Sequence, residues 1–79
     1  MKVKVRLFAL AREIVGQSEL TLILPAGATL GYFSEWLLTE YPKMAGLELR
    51  FAVNKAYKGL ETILNASDEI ACIPPVSGG

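Results

Sequence analysis

Few groups in this chain can do chemistry, and most of them stand without the neighbours that chemistry needs. None of the 79 residues is a histidine, so the commonest acid/base group near neutral pH is missing. A single cysteine, Cys72, with no histidine beside it excludes an ordinary zinc site. No Walker loop or dinucleotide fingerprint is present. Ser77 has nothing nearby to activate it. Asp68 and Glu69 adjoin, but neighbours on a strand point to opposite faces, so they read as a loop acid and a solvated acid rather than a working pair. Cys72 shares the strand phase of Ile70 and reads as a small buried hydrophobe.

What remains is the carboxyl end itself. Gly78-Gly79 follows Ile73-Pro74-Pro75-Val76-Ser77. With no Cβ on either residue, the last carbonyls are open from every side and the backbone takes almost any conformation. A chance Gly-Gly end has odds of about one in two hundred at average glycine usage. A frayed terminus is the bland alternative.

The elements that must position this end are legible in outline. Lys2-Val3-Lys4-Val5-Arg6-Leu7 alternates with period two, predicting a half-buried strand with Val3, Val5 and Leu7 inward. An Ala-rich turn is expected over 9–15, broken by Gly16. Residues 19–24 alternate again, with Leu20, Leu22 and Leu24 inward. Thr29 is a helix N-cap candidate, and Leu30, Phe33, Leu37 and Tyr41 recur at helical spacing until Pro42 stops the run. Their aromatic stripe reads as core packing. Residues 50–54 predict a third strand, Asn54-Lys55 a turn, and Tyr57 a short following segment. A helical turn is expected over 60–64, a loop over 65–68, and a last strand over 69–73 that Pro74-Pro75 terminates. This order predicts an α+β fold, a mixed sheet of four to five strands with one main helix packed on one face. A β-grasp fits, with the first and last strands parallel at its centre.

Composition sets the bounds. A chain of this length is one domain, and 52% hydrophobic content argues for a packed core over disorder. The domain is expected to span 1–79, with 75–79 as a flexible C-terminal tail. Acidic and basic residues cancel to a net charge of zero, which favours neither nucleic acid nor anionic lipid. The opening Met1-Lys2-Val3-Lys4 lacks the apolar core of a signal peptide, and one cysteine suits a reducing cytoplasm.

Phe8-Ala9, Ala11-Arg12-Glu13 and Gly16 resemble the first signature of the small, sulfur-carrying subunit of molybdopterin synthase. Tyr41-Pro42, Val53-Asn54, Asp68-Glu69-Ile70-Ala71 and above all Pro74-Pro75-Val76-Ser77-Gly78-Gly79 continue the resemblance along the whole chain. Ser67 departs from it, since that family usually places glycine before the aspartate. The resemblance implies a ubiquitin-like β-grasp whose Gly79 carboxylate is the reacting group. An activating enzyme of the ubiquitin-activating type, using ATP and Mg, would adenylate Gly79. Sulfur from a persulfide donor would then replace AMP to leave a thiocarboxylate. The large synthase subunit, in a heterotetramer, would pass that sulfur to cyclic pyranopterin monophosphate. No cofactor is expected on this chain itself.

These roles suit the residues. Pro75, Val76, Ser77, Gly78 and Gly79, fully extended, reach about 16 Å, enough to thread a narrow channel in which any Cβ at the last two positions would crowd. Pro74 and Pro75 stiffen the base of the tail. Phe8 continues the outward phase of Lys2, Lys4 and Arg6, while Ile73 shares the outward phase of Glu69. In parallel neighbouring strands the two would meet at the root of the tail, and we expect them to form a partner patch. Leu60 and Val76 are added as further interface candidates. Lys2, Lys4 and Arg6 read as a solvated face, with steering of an acidic partner as the alternative. Three rival readings stay open: a thiamine-type sulfur carrier, a ubiquitin-like modifier of target lysines, and a plain binding module with an inert tail.

Overall fold

Alternation in the first residues becomes the central strand of the sheet. A computed structural model describes residues 1–75. In it β1 (Lys2–Leu7) buries Val3, Val5 and Leu7 and exposes the three cations between them. The second strand, β2 (Glu19–Ile23), pairs antiparallel with β1 and turns Leu20 and Leu22 inward. The remaining strands are β3 (Arg50–Val53), β4 (Ala56–Tyr57) and β5 (Glu69–Ile73). The sheet order is β2-β1-β5-β3-β4, with β1 and β5 parallel at the centre and the other pairings antiparallel. This is the expected β-grasp.

The main helix, α2 (Leu30–Glu40), starts where its cap predicts. Thr29 Oγ1 accepts a hydrogen bond from the Tyr32 N–H at 3.1 Å, satisfying one of the donors a helix start leaves free. Leu30, Phe33 and Leu37 are fully buried in the core with Val3, Val5 and Ile70. The Phe33 ring stacks near Trp36 at 6.1 Å and meets Phe51 edge-on at 5.7 Å, so the aromatic stripe is packing. The chain leaves α2 at Tyr41 and continues as a 3-10 helix over Pro42–Gly46, which buries Met44.

Two expected elements differ from the structure. The Ala-rich turn is a helix, α1 (Ala9–Val15), of seven residues, closed by Gly16 at φ 84° with its N–H donating to the Arg12 carbonyl. Ala11 is fully buried and Ile14 and Val15 half-buried, so packing on the core holds a helix too short to persist alone. Its first residue, Ala9, sits at φ 50° and no side chain caps the start, which is why no start signal could be read.

Of the helical turn expected over 60–64, the chain forms a turn at Leu60 and Glu61, closed by the Thr62 N–H donating to the Gly59 carbonyl at 3.1 Å, and then runs on without a helix, with Ile63 bridging Thr29. Its carbonyls are claimed by α2: the Leu30 N–H donates to Thr62 O and the Gly31 N–H to Leu60 O, both at 2.8 Å. Two more of the helix's free donors are thereby satisfied, and a local helical turn could not offer those carbonyls. A Cβ at Gly31 would lie 3.2 Å from the Leu60 carbonyl oxygen, so the close approach uses the missing side chain.

Candidate functional site

The site is built by the parallel register of the two central strands. Leu7 pairs with Cys72, both inward, so the next residues, Phe8 and Ile73, emerge together on the uncovered face of the sheet. The Phe8 N–H donates to the Cys72 carbonyl at 3.3 Å and holds that junction closed. Phe8 is 42% exposed and Ile73 half-buried. Pro74 is buried directly after β5, and Pro75 is exposed where the tail departs. Val76, Ser77, Gly78 and Gly79 lie outside the described residues.

On the other side of Ile73 stands Arg50, its cross-strand partner on β3. Beyond it, Tyr57 on β4 pairs with Ala52 and projects from the same face, 63% exposed. Glu48, Leu49, Arg50, Tyr57, Ile73, Pro74 and Pro75 enclose an open groove of about 450 Å³ at the root of the tail. Tyr57 is the site residue that sequence reasoning missed. Its signal was available, because the two-residue Asn54-Lys55 turn, with φ of 50° and 71°, fixes the hairpin register and hence the face on which Tyr57 stands.

Leu60 is 53% exposed but does not adjoin Phe8. It lines a second groove of about 550 Å³ with Leu38, Leu47 and Lys58, between α2 and the β4 edge. Leu49, Arg50 and Tyr57 line both grooves and so join the groove at Leu60 to the one at Ile73.

Cys72 and Asp68, the other candidate reactive groups of the sequence, are both buried. Burial pushes the Cys72 thiol up to about 12, so its nucleophilic thiolate is absent at neutral pH. Asp68 is buried and accepts hydrogen bonds from Asn54 Nδ2 at 2.9 Å and from the Asn65 N–H at 2.7 Å. It is a loop-holding acid, as read from the sequence. Among the described residues no cluster of three metal-ligating side chains occurs, and no helix is long and apolar enough to cross a membrane.

A family model described as the ThiS family matches residues 5–79. The chain belongs to the ThiS family. The molybdopterin synthase sulfur carrier subunit of Arabidopsis thaliana is 37% identical, over 100% of this chain and 84% of the relative. Small archaeal modifier protein 3 of Haloferax volcanii is 33% identical, over the whole of both chains. Among solved structures, the putative molybdopterin converting factor subunit 1 from Pyrococcus furiosus superposes with a TM-score of 0.89 at 28% identity, covering 96% of this chain and 99% of that one. These proteins are what this ThiS-family chain is similar to, and they agree with its β-grasp.

Proposed function

We propose that this chain is the sulfur carrier of molybdenum cofactor synthesis, a regenerated cosubstrate and not an enzyme on its own. A carboxylate is a poor acyl donor, so an activating partner using ATP and Mg converts Gly79 to its adenylate. The outer sulfur of a persulfide donor displaces AMP to give an acyl disulfide, a second thiol of the donor reduces that bond and leaves as a disulfide with it, and the freed thiocarboxylate carries a nucleophilic sulfur. Pro75, Val76, Ser77, Gly78 and Gly79 thread into the large subunit of molybdopterin synthase, which docks on the Phe8–Ile73 patch in a heterotetramer. There the sulfur passes to cyclic pyranopterin monophosphate. The acids, bases and phosphate contacts belong to the partners, and this chain binds no cofactor. A single free cysteine suits the cytoplasm, where we place the cycle.

The observation that carries this reading is an exposed apolar patch at the root of the tail on a body without reactive side chains. The similarity to chains named molybdopterin synthase sulfur carrier subunit supports it. Intact-mass analysis of protein isolated from its own cells tests it. The expected product has one terminal oxygen replaced by sulfur. If deletion of Gly79 left cofactor synthesis intact in cells lacking the native carrier, the reading would fail.

A second reading, a protein modifier, is favoured by the similarity to small archaeal modifier protein 3. It predicts heavier adducts joined to target lysines in the same mass analysis.

A further inference from the structure

The uncovered sheet face carries two cations held in an unusual way. Lys4 has a carboxylate partner, with Nζ 4.0 Å from Glu19 Oε1. Arg6 and Arg50 form no such ion pair among the described residues, although Glu19 stands opposite Arg6 in the β1–β2 register. Each guanidinium lies instead 5.9 Å from an aromatic centroid, Arg6 over Phe8 and Arg50 over Tyr57. The register places these pairs on opposite sides of β5, with Arg6 beside Ala71 and Arg50 beside Ile73. Strand spacing sets the two arginine columns about 10 Å apart, with the small and apolar Ala71 and Ile73 between them.

We propose that Arg6 and Arg50 are paired carboxylate receptors for the large partner subunit, which seats an apolar side chain over Ala71 and Ile73 with an acid on each flank. This rests on the reading of that subunit as the docking partner. A guanidinium resting on a ring has already surrendered part of its rotamer freedom and water, so less is lost when a carboxylate arrives. Its planar fork takes the carboxylate through two parallel N–H bonds, which an ammonium cannot do. Glu48 lines the groove beside Arg50, so a partner acid is favoured there only close to the guanidinium. The aromatic rings thus serve twice, as contact area and as supports for the charges.

Titration calorimetry of the full-length protein against its cognate large subunit, over a range of salt concentrations, tests this. Arg6→Gln and Arg50→Gln are each expected to weaken binding about five- to tenfold at low salt and to flatten its salt dependence, with unchanged melting temperatures. Arg→Lys at either position should restore less than half of the lost affinity. Wild-type affinity and salt dependence in both glutamine variants, alongside weakened binding by Phe8→Ala, would overturn the carboxylate receptors and leave the partner reading standing. Full rescue by lysine would overturn the need for a ring-held fork. Failure of the unaltered carrier to bind the large subunit would overturn the partner reading itself.

Discussion

Asn54 holds both sides of the chain reversal opposite the tail: its Nδ2 donates to Asp68 Oδ1 at 2.9 Å while its Oδ1 accepts the Glu69 N–H at 3.0 Å. One amide therefore ties the β3–β4 turn to the loop that launches β5. Asn54 also occupies φ 50°, a region asparagine tolerates better than most residues. Asn54→Ala removes both bonds and that tolerance, and it leaves Asp68 Oδ1 without its partner while Oδ2 keeps the Asn65 N–H. We expect a loss of about 2–3 kcal/mol, read as a lower urea midpoint at unchanged slope. A loss below about 0.5 kcal/mol would show that the tie is incidental.

Ser67 sits at φ 71°, where a Cβ is strained, and its backbone N–H donates to the Lys2 carbonyl at 2.9 Å. Glycine removes the strain and keeps that bond. Ser67→Gly is therefore expected to stabilise the domain by about 0.5–1 kcal/mol, after the greater freedom of the unfolded glycine is counted. A midpoint at or below that of the parent chain would contradict this.

Cys72 gives the domain an alkaline weakness of calculable sign. Its thiol is raised from 9.0 to about 12 by burial, so above pH 9 the unfolded chain releases a proton that the folded chain retains. The stabilisation is complete below pH 9 and falls by about 1.4 kcal/mol per pH unit on the way to pH 12. Cys72→Ala should be the less stable form at pH 7, with the gap narrowing as pH rises through that window. Denaturation series at pH 7, 9 and 10.5 check it, and a constant gap refutes it.

Phe8 and Leu37 separate surface from core. Phe8→Ala leaves the core intact and is expected to lower stability by less than about 1 kcal/mol while weakening partner binding by tenfold or more. Leu37→Ala opens a cavity in a fully buried site and should cost about 2–5 kcal/mol of stability. Equal destabilisation by the two changes would place Phe8 in the core.

Much of this was legible in the residues because the forces involved are local. The alternation of Lys2 to Leu7 states which side of β1 is buried, and Thr29 and Pro42 bracket α2 with their own hydrogen-bonding chemistry. The pairing of Phe8 with Ile73 followed from strand phase once β1 and β5 were taken as parallel. The misreadings lie where distant segments decide. The turn at 60–61 does not continue as a helix through 64 because α2 takes the Leu60 and Thr62 carbonyls, and nothing in their own sequence announces that partner. The seven residues of α1 are held by the burial of Ala11 against the sheet, and the left-handed Ala9 hides their start. Tyr57 reached the patch through hairpin register, a relation between residues that its own type does not disclose.

The parallel pairing of β1 with β5 also acts in time. During synthesis β1 emerges first and its central partner last, so the middle of the sheet cannot close until almost the whole chain has been made. The patch has the same dependence, because Phe8 follows β1 and Ile73 ends β5. A chain that stops short of β5 has neither a finished sheet nor a surface to be recognised. A partner that docked through Phe8 and Ile73, as proposed, would thereby inspect completeness, engaging only molecules whose synthesis has run past the last strand.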